Sequence, residues 1–351
     1  MRNFTDIGRI KVFIKDKNKK GFLKVIKEIF ILLITKKEIP FYYFKFLYRK
    51  DVKNYLDYLS TKEVVAIGSN SELHKPEYKS LFNNKLVFAL FCEKASINSP
   101  RLISHNFGSC FCFNNKNEKI NTKEELVLFF ERVFASLDTN AIFFRPPSEY
   151  GGKGCFKISQ KGLASEVDDK YETIINGRFV HTEIIHQHKE INKIHSKCVN
   201  TIRIISLITS EGDIELVCSF MRFGVGDSSV DNASSGGFFV GVNLNDGTLK
   251  LSGLYMLEYG GGDIYEHPDS GFKFEGFKIP YFKEACEEVV NAVKIIPDRF
   301  IGWDVAITQN GPLIIEANWA PHIFLSDYAY GGLLRNQHMK KLVSDLKNKI
   351  I

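Results

Sequence analysis

Two stretches carry residue types suited to phosphate and metal chemistry. In "GWDVAITQNGPLIIEANWAP", Asp304 lies on one apolar run, and Glu316 and Asn318 lie two apart on the next. Residues two apart on a strand share a face. Gln309-Asn310-Gly311 is a turn signal that folds the second run back on the first, level with Asp304. Three oxygen ligands on a rigid hairpin suit magnesium that also meets phosphate oxygens. A carboxylate amid "LIIEANWA" without a cation or partner would be costly. The second stretch, "AIFFRPPSEYGGKGCFKIS", is a strand ending in Arg145, a loop with Gly151, Gly152 and Lys153, and a second strand. Glycines let backbone amides approach phosphate oxygens, and Lys153 and Arg145 add cations. Taken alone, such a loop is also a common surface turn. It lacks the GxxxxGK[ST] spacing of a P-loop.

Elements must bring these stretches together. Residues 18–60 read as helical, with Phe22, Val25, Ile26, Ile29, Leu32 and Leu33 at helical spacing and lysines opposite. This region either packs on the next domain with a solvated lysine face or leans on an anionic membrane or a membrane-bound partner. A helix starts near Lys85. Thr122 and Glu125 form a capping box before "LVLFFERVFASL". "FVHTEIIHQH" reads as a strand entering a loop, and "VNTIRIISLI", "IELVCSFMRFG" and "GFFVGVNL" as strands of one sheet. A helix follows Pro280, and a last helix runs from about Gly332 to the end.

The chain has 351 residues, with 44% hydrophobic residues, 25% charged residues and a net charge of +6. That suits a soluble globular protein of two or three packed units and anionic ligands such as nucleotides. No nucleic-acid motif is present, so nucleic-acid binding is not expected. Seven scattered cysteines with no CxxC argue against a disulfide framework or zinc site and fit a reducing cytoplasm. The run Ile29–Ile34 is too short to span a bilayer, so no transmembrane segment is expected.

The order of these pieces resembles the ATP-grasp superfamily. "HTEIIHQHKEINKIHSKCVNTIRIISLI", "FMRFGVGDSSVDNASSGG" and the closing hairpin resemble its sugar-transfer-associated members, relatives of α-L-glutamate ligases, over about residues 60–330. The resemblance implies an α+β ATP-grasp fold whose antiparallel sheets clasp a nucleotide cleft, behind a helical N-terminal region. The expected parts are 1–60 helical, 61–120 linking, 121–188 small lobe and 189–351 large lobe. It implies ATP and magnesium as cofactors. Lys85 would contact ATP. Arg145 stands where the family usually has lysine, which keeps the charge but changes its shape. Adenine would meet the backbone at Glu183, Ile184 and Ile185, and Glu190 would hold the ribose. Asp304, Glu316 and Asn318 match the magnesium positions. Arg203 and Arg222, if both face one cleft, would steady an acylphosphate or grip a carboxylate as the catalytic cations. Asp227–Gly237 reads as a mobile substrate loop or an ordinary long turn, and His195 and His267 as candidate bases or structural histidines.

The implied activity is a ligase joining a small-molecule acid to an amine by a C–N bond. The substrates would be an amino acid with an amino sugar or nucleotide sugar in bacterial surface-polysaccharide (capsule) assembly, with the assembly enzymes as partners. Phosphotransfer to a sugar hydroxyl and an inactive nucleotide-binding partner of a glycosyltransferase are the alternatives.

Overall fold

The computed structural model describes residues 6–233, 236–256, 259 and 261–348. The helices are α1 (Asp6–Lys15), α2 (Phe22–Lys36), α3 (Tyr43–Phe46), α4 (Thr61–Ser69), α5 (Pro76–Phe82), α6 (Lys85–Ala95), α7 (Lys123–Ser136), α8 (Leu163–Ile175), α9 (Lys189–Asn192), α10 (Phe282–Ile295), α11 (Ile323–Tyr330) and α12 (Gln337–Asn348). Strands β1 (Leu102–Phe107), β2 (Cys110–Phe113), β3 (Lys116–Lys119), β4 (Ala141–Arg145), β5 (Phe156–Ser159) and β6 (Arg178–Glu183) form a first sheet, ordered β3-β2-β1-β6-β4-β5. Strands β7 (Ile202–Ile208), β8 (Ile214–Phe223), β9 (Phe238–Val242), β10 (Leu249–Tyr255), β11 (Asp263–Ile264), β12 (Phe300–Thr308) and β13 (Gly311–Asn318) form a second, ordered β11-β10-β9-β8-β7-β12-β13. Every described strand pairing is antiparallel.

In the first sheet Ile142 and Phe144 of β4 enter a core with Phe111, Phe129, Phe130 and Val133. Alternation along the strand puts Arg145 on the other face. The second sheet is covered on both faces. Trp303, Val305 and Ile307 of β12 pack with α10, while Ile205, Leu207 and Phe220 pack with α11 and α12. This explains the continuous apolar reading of β7, whose residues Ile202–Leu207 are all buried.

Several expectations change against the structure. The helical reading of 18–60 breaks after Lys36. Lys37 adopts a left-handed conformation, and Pro40, which lacks an amide hydrogen, follows within four residues. The apolar stripe of this helix does not all face inward. Val25 and Leu32 are buried, whereas Phe22, Ile26 and Leu33 are exposed. The last helix, expected from about Gly332, is α12 and starts at Gln337, while α11, which had no expectation, ends before the left-handed glycines Gly331 and Gly332; residues 349–351 lie outside the described residues. α8 had no expectation, because its first turn, "LASE", follows a strand without a strong cap signal. The first sheet draws strands from both sides of residue 121, since β1 pairs with both β2 and β6. At Thr122 the expected capping box forms with a shift. The Thr122 hydroxyl accepts from the Glu125 amide, while the Glu125 carboxylate accepts from Asn121 rather than from Thr122.

Candidate functional site

Register places three charged residues, Arg203, Asp304 and Glu316, in one row across the second sheet. Asp304 lies directly opposite Arg203 on β7 and opposite Glu316 on β13. A bulge at Ile315 keeps Glu316, rather than its neighbour, level with Asp304. Directly opposed residues share a face, here the face that also carries Ile205, Phe220 and Phe300.

Arg203 and Asp304 are both buried, and a buried charge needs a partner. They supply each other: Arg203 Nε donates to Asp304 Oδ1, and Nη2 donates to Oδ2 at 2.9 Å. Gly302 makes room for this, since a Cβ there would lie 3.1 Å from Arg203 Cδ and 2.6 Å from Pro321 Cβ. Arg222 completes the set at 3.1 Å from Asp304 Oδ2. Burial pushes the Asp304 carboxyl up, but the two guanidiniums outweigh it, and the carboxyl titrates below its usual range. For Arg222, burial is outweighed by Asp231, Asp304 and Glu316, which hold it charged.

Asp231 and Asn232 brace this arginine. Arg222 Nη1 donates to Asn232 Oδ1 at 3.2 Å, and Asp231 Oδ2 accepts from the Thr201 amide at 2.7 Å while lying 3.4 Å from Arg222 Nε. The part of the 227–237 loop read as mobile is therefore tied down at Asp231 and Asn232. Ser234 and Ser235 lie outside the described residues.

Glu316 and Asn318 differ from Asp304. Among the described residues the Glu316 carboxylate has no hydrogen bond or ion pair, and Asn318 Nδ2 is buried without a partner. The donor set suits magnesium: a carboxylate and a side-chain carbonyl free of protein partners, beside the Asp304 carboxylate, whose Oδ1 takes only the Arg203 Nε hydrogen bond while Oδ2 meets both Arg203 and Arg222.

The glycine loop faces this row. Arg145 is 8% exposed, its Nε has no partner, and burial lowers its pKa against the opposing pull of Glu316 and Cys155. An orphaned, buried guanidinium N–H beside a free carboxylate suits an arriving anion that carries a metal. Cys155 senses the same groups: burial raises its thiol pKa, and Arg145 and Lys85 oppose that rise. Lys85 opens α6 and donates to Glu149 O at 2.5 Å, with its amide bonded to Pro147 O at 2.8 Å. Lys153 is exposed at the loop tip.

Asn83 ties the two stretches together. Its Oδ1 accepts from Tyr150 of the loop at 3.2 Å and from Trp319 of the acidic hairpin at 3.0 Å. Gly151, Gly152 and Gly154 are all left-handed, with φ of 68°, 72° and 73°. Gly152 presses on Val230, whose Cγ1 would lie 2.1 Å from an added Cβ. Gly152→Ala is therefore expected to destabilise the fold by about 1–3 kcal/mol, from strain and overlap combined. Urea denaturation measures this, and adding Val230→Ala should recover the steric share only.

Glu183 ends β6 and is already engaged, its carboxylate accepting from the Arg101 amide at 2.8 Å. Ile184 and Ile185 form the crossing from the first sheet to the second, which resumes at Gln187 beside Thr308. Among the described residues no backbone hydrogen bond occupies the Ile184 or Ile185 amides outside regular strands. Glu190 pairs with Lys193 at 2.6 Å, and nothing described links it to the cationic row. His195 and His267 stack on each other at 4.8 Å, with His267 Nε2 donating to Gly224 O at 2.9 Å. No described hydrogen bond or ion pair joins them to Asp304 or Glu316.

Sequence reasoning missed His322, at the head of α11. Desolvation by its surroundings lowers its pKa, Arg203 and Arg222 lower it further, and Asp304 opposes them. The histidine in "WAPHIF" carries no marking pattern in the sequence, and it comes near the arginines only through the fold. Asp231 and Asn232 lay in plain view but read as loop.

The sugar-transfer associated ATP-grasp family model matches residues 70–342. No curated protein matches in sequence. Among solved structures, D-alanyl-alanine synthetase A from Vibrio cholerae is 11% identical with a TM-score of 0.44, covering 78% of this chain and 67% of its own. N5-carboxyaminoimidazole ribonucleotide synthetase from Thermotoga maritima is 12% identical at 0.41, covering 76% and 50%. Phosphoribosylamine–glycine ligase from Thermotoga maritima is 14% identical at 0.40, covering 70% and 49%. This chain thus spans about half the length of the latter two.

Proposed function

This chain belongs to the sugar-transfer associated ATP-grasp family, and from that premise we propose that it is an ATP-dependent carboxylate–amine ligase acting through an acylphosphate. A carboxylate oxygen of the acid attacks the γ-phosphorus of ATP, and ADP leaves. The amine then attacks the acyl carbon, phosphate leaves, and the amine proton passes to solvent. The supporting observation is that Asn83 joins the glycine loop, through Tyr150, to the acidic hairpin, through Trp319, with buried Arg145 in the electrostatic range of Glu316.

In this reading the loop amides, Lys85, Arg145 and Lys153 hold phosphate oxygens, and the Glu183–Ile185 edge takes adenine. Glu190 would have to leave Lys193 to reach a ribose. Asp304, Glu316 and Asn318 would hold magnesium, which when bound neutralises phosphate charge. Arg203 and Arg222, fixed by Asp304 and Asp231, face the developing charge of the transferred group. No side-chain nucleophile is required; the chain positions substrates and excludes water. The substrates in this reading are an amino sugar or nucleotide sugar and an amino acid, with surface-polysaccharide enzymes as partners in the cytoplasm; the family's description, sugar-transfer associated, supports the sugar alone.

The test is incubation with ATP, magnesium and a panel of such acid and amine pairs, read by ADP release and product mass. A product joined by an amide supports the proposal. A product heavier by a phosphoryl group instead identifies a sugar phosphotransferase, and ATP binding with background ADP release for every pair identifies an inactive partner. Arg145→Met is expected to weaken ATP binding by about 10–100-fold, the loss of one charged hydrogen-bonding partner. Arg145→Lys should hold affinity within a few-fold. Isothermal titration separates the two.

A further inference from the structure

The most apolar exposed surface lies outside the cleft, on α2. Phe22, Leu23, Ile26, Phe30, Leu33 and Ile34 are all exposed, Leu23 at 83% and Phe22 at 74%. At 3.6 residues per turn they occupy one arc of about 120°. The opposite side of the helix is already used: Val25 and Leu32 are buried, and Glu28 accepts from Lys20 and Tyr43. Ile39 and Phe41 extend the exposed apolar surface past the end of the helix. A contiguous apolar face of this kind marks an interaction surface.

Charge identifies what covers it. Residues 6–53 hold fourteen Lys and Arg against five Asp and Glu, a net charge of +9, while the whole chain is +6. Lys15, Lys17, Lys24, Lys27 and Lys37 are exposed and make no ion pair among the described residues. No described helix is long and apolar enough to cross a membrane. A second copy of this chain would bring two such positive surfaces together, which is unfavourable. An apolar stripe flanked by free lysines fits a bilayer carrying negative headgroups, with the helix lying in the interface.

We propose that α2 docks this protein on an anionic membrane surface, Phe22, Leu23, Ile26, Phe30, Leu33 and Ile34 entering the headgroup boundary and the lysines meeting lipid phosphates. The catalytic reading is not needed for this.

Vesicle co-sedimentation of the full chain tests it, with vesicles of phosphatidylcholine alone and of equal parts phosphatidylglycerol and phosphatidylcholine. The expected result is binding to the mixed vesicles about tenfold or more above the neutral ones, weakening as salt rises. Phe22→Ser with Phe30→Ser should cut binding about tenfold or more without lowering Tm, since both side chains are exposed. Lys24→Glu with Lys27→Glu should remove the preference for the anionic lipid. Binding to neither vesicle overturns the proposal, as does equal binding to both. So does a dimer in sedimentation equilibrium that the Phe22 and Phe30 changes disperse, which would assign the face to a second copy.

Discussion

Glu316→Ala is expected to remove the gain in ATP affinity that magnesium confers, leaving binding within about twofold of that measured without metal. With whichever acid and amine pair the panel identifies, kcat/KM should fall about 1,000-fold or more, as expected when a metal loses its main carboxylate. The fold should survive. Glu316 has no hydrogen bond or ion pair among the described residues, so its removal strands no partner. The carboxylate also opposes the lowering of the Arg145 pKa, so its loss leaves a buried guanidinium with less compensation. Thermal denaturation should therefore show a small fall in Tm and no loss of cooperativity. A variant that unfolds would place Glu316 in the framework instead; one that keeps its magnesium dependence would move the metal elsewhere.

Asp304→Asn should behave in the opposite way. Its carboxylate takes two hydrogen bonds from Arg203 and an ion pair from Arg222, in a buried row. Removing one partner of a buried ion pair leaves uncompensated charge, at about 3–5 kcal/mol. Chemical denaturation is expected to show a loss of that size, with activity lost as well. Arg203→Met in the same chain should recover much of the stability but none of the activity, because the apolar chain no longer needs the carboxylate. The two carboxylates of one hairpin thus separate by what each already holds.

This separation was not legible in the sequence. The spacing of Glu316 and Asn318 announced a shared face, because strand periodicity fixes it locally, whereas Asp304 joins that face only through the bulge at Ile315, which no local pattern encodes. That Asp304 would be held by Arg203 and Arg222 depends on the order β8-β7-β12-β13, a long-range pairing that no local pattern encodes. The glycine loop, the helix at Lys85 and the strand ending at Glu183 were readable for the same local reasons. His322 was hidden because the two arginines that act on it, Arg203 and Arg222, lie far upstream on β7 and β8. The sequence alone leaves the stripe on α2 between packing on the next domain and leaning on a membrane or membrane-bound partner, since periodicity reports that a helix has an apolar face but not what covers it.

The central claim is that the glycine loop and the acidic hairpin close on one triphosphate and its metal. A crystal structure with a non-hydrolysable ATP analogue and magnesium tests it most directly. The account predicts the γ-phosphate between Arg145 and the Gly151–Gly152 amides on one side and a magnesium ion on Glu316 and Asn318 on the other, with adenine at Ile184–Ile185. An analogue bound away from Arg145, or a metal bound without Glu316, would contradict it.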